Sequence, residues 1–161
     1  MIATPIFHDG FVYVTSSYGT GCNLFQVTAS SGAFKADQVY ANRNMANHHG
    51  GVIRIGDYLY GYSGDRSWVC QEFKSGNVVW SEKGPGKGSI ACADGLLYLR
   101  SESGKGTVAL VQATPSGYKE ISRFDQPNRS NQSSWPHPVI ANGKLYLRDQ
   151  DVLLCYEITA K

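Results

Sequence analysis

The chain has 161 residues, 42% of them hydrophobic and 17% charged, enough to bury a sizeable core as one domain. A formal net charge of +2, carried by scattered side chains, leaves no basic stripe of the kind that nucleic acid selects. No apolar run approaches the roughly 20 residues that span a bilayer, and Met1-Ile2-Ala3-Thr4-Pro5 carries no signal-peptide pattern, so neither nucleic acid nor membrane is expected as a partner.

A first strand is predicted from Ile2 to Phe7. Asp9-Gly10 turns it into Phe11-Val12-Tyr13-Val14, Asn23-Leu24-Phe25-Gln26-Val27 follows, and Ala29-Ser30-Ser31-Gly32 opens a fourth strand. The order then repeats. The second unit runs through Gly51-Val52-Ile53, Gly56-Asp57, Tyr58-Leu59-Tyr60, Val69-Cys70-Gln71-Glu72-Phe73 and Lys74-Ser75-Gly76 into Asn77-Val78-Val79-Trp80. The third has Ser89-Ile90-Ala91, Asp94-Gly95, Leu96-Leu97-Tyr98-Leu99, Ala109-Leu110-Val111-Gln112-Ala113 and Pro115-Ser116-Gly117. The fourth has His137-Pro138-Val139-Ile140, Asn142-Gly143, Lys144-Leu145-Tyr146-Leu147 and Leu153 to Ile158, after which only Thr159-Ala160-Lys161 remain.

Asp-Gly and Asn-Gly between apolar runs signal tight hairpins, because these turns need a positive φ that Gly and Asn tolerate. The shared tyrosines Tyr13, Tyr60, Tyr98 and Tyr146 are 47, 38 and 48 residues apart. Short strands recurring at that period, with no sustained helical periodicity, read as the four-stranded antiparallel meanders of a β-propeller. The predicted fold is therefore all-β: one partial propeller over 1–161, with blades at about 1–45, 46–83, 84–130 and 131–161. Four blades need sixteen strands and the chain supplies about fifteen, the last blade lacking its outer strand. The sequence reads as the C-terminal portion of a larger ring, or as a subunit that completes its ring by association.

Alignment on the tyrosines places Cys70 and Cys155 where other units carry Leu24 and Leu110, and Cys92 where they carry Phe7 and Ile140, so all three are expected as small core residues. Cys22, near a turn, is expected to be the most exposed, and no C-x-x-C pair supports a metal or redox motif.

The repeated Asp/Asn-Gly-x-Leu/Val-Tyr phrase and Lys74-Ser75-Gly76-Asn77-Val78-Val79-Trp80 resemble the pyrroloquinoline-quinone-like (PQQ-like) β-propeller repeat proteins, over essentially the whole chain. Asn47-His48-His49-Gly50-Gly51-Val52, Gly86-Lys87-Gly88-Ser89, Trp135-Pro136-His137-Pro138-Val139 and Leu147-Arg148-Asp149-Gln150-Asp151 are similar to the C-terminal part of bacterial PQQ-binding-like propellers. The resemblance implies about half of an eight-bladed ring and a periplasmic or extracellular parent protein. Only Trp80 fills the family's docking-tryptophan position, with Ala36 and Ile121 at the corresponding sites. Quinoprotein dehydrogenases of this scaffold use a catalytic Asp, a calcium ion, a Trp floor and a vicinal disulfide. This chain has no Cys-Cys pair, and Asp9, Asp57 and Asp94 are turn residues, so no catalytic residue, no metal and no cofactor is expected, PQQ with calcium included.

The candidate site is a channel mouth. His48, His49 and His137 close long stretches that feed innermost strands, with Arg43 and Arg129 in those stretches and Lys87 and Ser89 at the corresponding place in the short unit. These groups could hold a polar or anionic small ligand, or the imidazoles could simply cap strand ends. In an extended chain His48 and His49 point to opposite sides, which disfavours a shared metal. Trp135, stiffened by Pro136 and Pro138, either terminates a loop or offers an apolar platform for a sugar. Gly84-Pro85-Gly86-Lys87-Gly88-Ser89 precedes a strand, so it is no phosphate loop. Two functions fit: a non-catalytic binding or scaffold module for a protein, carbohydrate or small polar ligand, or a fragment of a quinoprotein oxidoreductase. Bare blade faces and an unpaired strand edge further predict self-association into a closed ring.

Overall fold

A computed structural model describes residues 3–64 and 67–159. Four antiparallel sheets follow one another along the chain, each with its strands in sequence order. Blade 1 holds β1 (Ile6–His8), β2 (Phe11–Ser16), β3 (Gly21–Ser30) and β4 (Ala33–Asn42), and blade 2 holds β5 (Val52–Ile55), β6 (Tyr58–Ser63), β7 (Ser67–Glu72) and β8 (Val78–Glu82). Blade 3 holds β9 (Gly88–Ala93), β10 (Leu96–Ser101), β11 (Val108–Gln112) and β12 (Glu120–Phe124), and blade 4 holds β13 (Val139–Ala141), β14 (Lys144–Asp149) and β15 (Val152–Glu157). The described residues thus carry the fifteen strands that the repeat predicts, the first from Ile6; Met1 and Ile2 lie outside the described residues.

The first turn of three blades has the expected chemistry. Asp9-Gly10, Asp94-Gly95 and Asn142-Gly143 all sit at φ between 47° and 74°, as a two-residue turn matched to strand twist requires. A second device recurs where the sequence gave no sign of it. The third and fourth strands slip register at Leu24/Phe25, Cys70/Gln71 and Leu110/Val111, leaving Val39, Val79 and Ile121 as unpaired bulge residues. The pairing also corrects the docking position. Trp80 pairs with Cys70, and its equivalents are Tyr40 opposite Leu24 and Ser122 opposite Leu110, not Ala36 and Ile121. Both aromatic groups reach the following blade: Trp80 Nε1 donates to Thr114 O at 2.8 Å, and Tyr40 Oη donates to Phe73 O at 3.0 Å.

Three apolar cores join the blades in series. Ile6, Tyr13 and Leu24 pack on Leu59, Val69 and Phe73; Tyr60, Tyr62 and Cys70 pack on Ile90, Leu97 and Leu99; Tyr98 and Leu110 pack on Leu145, Leu147 and Leu154. Alternation along each strand puts the shared tyrosine toward the next blade and its neighbours toward the previous one. Two cysteine expectations change as a result. Cys22 is fully buried on β3, where its thiol donates to Asn42 Oδ1 at 3.0 Å, because it faces blade 2 rather than the turn. Cys155 is exposed, because the face of blade 4 on which it lies has no neighbour within the arc. Cys70 is buried and Cys92 half-buried, and all four thiols are free.

The innermost strands meet backbone to backbone. A Cβ on Gly50 would stand 1.8 Å from Gly88 O. Ile90 N donates to Gly50 O at 3.1 Å, so this contact is a hydrogen-bonded seam between blades 2 and 3.

Candidate functional site

In a meander the second strand ends beside the start of the first, so the turns after β2 and β10 share a face with the segments that lead into β5, β9 and β13. Tyr18 and Glu102, from those two turns, join the residues expected at the mouth. Tyr18 Oη lies 2.9 Å from His48 Nε2, His48 Nδ1 lies 3.2 Å from Lys87 Nζ, and Lys87 Nζ lies 3.1 Å from Glu102 Oε1. A lysine ammonium can only donate, so His48 Nδ1 accepts and the ring carries its proton on Nε2. That proton goes to Tyr18 Oη, and the phenol hydrogen is left free to donate.

Tyr18, His48 and Lys87 line a depression of about 370 Å³ with Ser17, Ala46, Tyr62 and Gly64. It adjoins a second of about 340 Å³, which shares Ser17, Tyr18, Ala46 and Gly64 and adds Arg43. Arg43 is exposed and makes no ion pair among the described residues. Arg43, the third proton of Lys87 and the Tyr18 hydroxyl therefore all offer donors to one patch of surface.

His49 stands behind His48, with ring centroids 4.5 Å apart, and next to Trp135, at 5.6 Å. Residues 43–51 are not extended as expected. Asn47 clamps a turn by bonding Gly51 N, Gly51 O and Tyr62 O, with Gly51 at φ 82°, and this brings both imidazoles to the same side. His49 Nε2 is 2.9 Å from Glu102 Oε2 but the two complete no hydrogen bond, and His49 Nδ1 has no partner among the described residues. Burial pulls the His49 pKa below its usual value, the Glu102 charge opposes this, and Lys87, His48 and His137 add to the lowering. His137 donates from Nε2 to His49 O at 2.7 Å.

Not every expected residue reaches the mouth. Ser89 is buried and its hydroxyl faces Pro136 O at 3.5 Å. Arg129 is taken up in a buried network: it donates to Asp149 Oδ1 at 2.6 Å, Glu102 O at 2.8 Å and Gln132 O at 2.7 Å. Asp149 ends β14 below the surface and also accepts from Ser130 N, Ser130 Oγ and Gln126 Nε2 at 2.7, 2.8 and 3.0 Å. Burial raises its pKa, but these bonds and the Arg129 charge outweigh that and hold it at about 2. Trp135 is exposed and lines a separate depression of about 470 Å³ with Gln132, Ser133, Pro136, Arg148 and Gln150.

No protein-family model and no curated protein matches the chain. Among solved structures it is similar to BamB from Moraxella catarrhalis, with a TM-score of 0.68 and 15% identity over 95% of this chain and 41% of that one. The computationally designed Ika8 protein gives a TM-score of 0.62 at 11% identity over 96% of this chain and 45% of that one. A europium-containing methanol dehydrogenase gives 0.54 at 11% identity, over 81% and 25%. At such identities the likeness is one of fold. The chain folds as a run of β-propeller blades. It spans less than half the length of each of these structures.

Calcium needs several uncommitted oxygen ligands, whereas Glu102 is engaged by Lys87 and His49, and Asp149 by Arg129 and Ser130. Among the described residues no group of three or more His, Cys, Asp or Glu converges to hold a metal ion.

Proposed function

We propose that this propeller segment is a non-catalytic binding module and that its mouth takes a small anionic group, a carboxylate or a phosphate. The observation that carries the reading is the direction of the hydrogen-bond chain. Glu102 fixes Lys87, Lys87 fixes the tautomer of His48, and His48 turns the Tyr18 hydroxyl outward as a donor. With Arg43 on the adjoining wall, what remains uncommitted at this surface is donors and positive charge. The Glu102 carboxylate lies behind Lys87, its side chain 13% exposed, and helps to place the ammonium.

Titration of the chain with inorganic phosphate and with citrate, followed by backbone amide NMR, tests this. Shifts are expected at Ser17, Tyr18, Arg43, His48 and Lys87, and Lys87→Met is expected to weaken binding roughly tenfold by removing one charged donor. Absence of shifts at these residues at millimolar anion refutes the proposal. Shifts centred on them with PQQ and Ca²⁺, but not with phosphate or citrate, favour the oxidoreductase reading instead.

A further inference from the structure

The two depressions at the mouth are lobes of one groove. Ser17, Tyr18, Ala46 and Gly64 line both; Lys87 and His48 belong to the first lobe and Arg43 to the second. The walls come from the turns after β2 and β6 and from the segments that lead into β5 and β9, so the groove is built where blades 1, 2 and 3 adjoin and not on the faces at the two ends of the arc. Each lobe holds one cationic side chain, and none of the described residues that line either lobe is acidic.

Tyr18, common to both lobes, occupies a backbone position that its turn would give to another residue. Thr20 N donates to Ser17 O at 3.3 Å, which makes Tyr18 and Gly19 the central residues of the turn, and both have positive φ, 57° and 79°. Glycine, asparagine and aspartate enter this region most readily, and a bulky side chain there is strained. Among the non-glycine residues described at positive φ, Tyr18 alone is aromatic; the rest are Asp, Asn, Ser and Gln. Burial does not offset the strain, because Tyr18 is 84% exposed and its ring meets His48 edge-on, with centroids 5.1 Å apart. A residue that the turn disfavours and the core does not use is explained by what it presents to the groove: an outward hydroxyl and an exposed ring.

We propose, building on the anion-binding reading of the mouth, that its ligand carries two anionic groups on an aliphatic spacer, a dicarboxylate, with one carboxylate on Lys87 and the Tyr18 hydroxyl, the other on Arg43, and the spacer against the Tyr18 ring. The guanidinium fork of Arg43 can take a carboxylate through two parallel hydrogen bonds, and methylenes laid on the ring remove apolar surface of both partners from water. Lys87 and Arg43 stand on different segments, one ahead of β9 and one ahead of β5, so their separation is set by the packing of the blades and selects a spacer length. Once the first carboxylate is bound the second binds intramolecularly, which raises affinity over that of a monocarboxylate.

Titration with malonate, succinate, glutarate, adipate and pimelate, and with butyrate as the monocarboxylate, tests this at constant ionic strength by backbone amide NMR. Affinity is expected to peak at one spacer length and to exceed that of butyrate by about tenfold or more. Arg43→Gln is expected to bring the preferred dicarboxylate down to the butyrate level and to leave butyrate unchanged, whereas Lys87→Met weakens both. Tyr18→Asn supplies a residue suited to the turn, so it is expected to unfold at the same or a higher urea concentration than wild type while losing the preference for the dicarboxylate. Butyrate binding at the mouth without a preferred spacer length, a preference that survives Arg43→Gln, or a Tyr18→Asn chain that is less stable than wild type overturns the dicarboxylate assignment and leaves anion binding standing. Failure of every anion to shift Tyr18, His48 and Lys87 overturns both.

Discussion

Replacing Asp149 with Asn keeps the shape of a buried acceptor and removes its charge, so it isolates the electrostatic part of the network that ties the 125–135 segment to β14. The carboxyl titrates at about 2 in the folded chain against an ordinary 3.8. At about 1.4 kcal/mol per pH unit, that difference makes its ionisation worth about 2 kcal/mol of stability. A depressed carboxyl contributes fully above its unfolded value and loses the contribution as pH falls toward the folded one. Urea unfolding followed by tryptophan fluorescence, at one protein concentration, is the assay. Asp149→Asn is expected to be less stable than wild type by about 2 kcal/mol at about pH 7, with about half of that difference gone at about pH 3. Asp149→Ala, which leaves the Arg129 guanidinium buried without its counter-charge, is expected to cost about 3–5 kcal/mol. A difference between Asn variant and wild type that does not change with pH refutes the assigned charge, since only ionisation of Asp149 distinguishes the two chains.

Gly50→Ala places a methyl group against the Gly88 carbonyl and is expected to destabilise the chain by about 2–3 kcal/mol in thermal or urea unfolding, whereas Gly95→Ala meets no atom within 4 Å and suffers only the strain of its positive φ. His49 lies beside Trp135, the exposed one of the three tryptophans, so protonation of His49 is expected to quench part of the fluorescence with a midpoint below 6.5. His49→Gln is expected to abolish that transition, and a midpoint at or above 6.5 contradicts the assigned desolvation. Because the His49 pKa is lowered on folding, its neutral form is the stabilising one. Stability is then expected to decline as pH falls from 6.5 toward the folded value.

Much of the fold was legible in the residues. Asp9-Gly10, Asp94-Gly95 and Asn142-Gly143 specify their turns through backbone sterics alone, and the strand order follows once short strands are joined by such turns. The bulges were not legible. Val39, Val79 and Ile121 look like ordinary strand residues, and only pairing with the third strand shows that each is left over. Ala36 and Ile121 stand four residues past Gly32 and Gly117, as Trp80 stands past Gly76, but the outer hairpins of blades 1 and 3 are longer, so the positions paired like Trp80 are Tyr40 and Ser122.

The site was legible in part. His48, Lys87 and Arg43 do line one surface, and His137 and Trp135 gather beside it around His49, which stands next to Glu102. Tyr18 and Glu102 escaped notice because each looks like turn chemistry, although the meander already required the turn after the tyrosine strand to share a face with the segment that leads into the next blade. Arg129 and Ser89 looked equally available and are not, since nothing in a run of Asn, Arg and Ser announces that Asp149, twenty residues on, will claim the guanidinium.

By itself, the sequence determined the unit: four tyrosine phrases, their turns and the alternation that gives each sheet two apolar faces, all consequences of local sterics and a two-residue period. The tertiary structure decided which of those faces are sealed and which charges are free. Burial and ion pairing depend on residues distant in the chain, so Cys22 vanished into a junction, Cys155 stayed at the surface, and Asp149 became a buried anion. The same packing divided four chemically equivalent tyrosine faces into three that are covered and one, around Tyr146, that meets no following blade among the described residues.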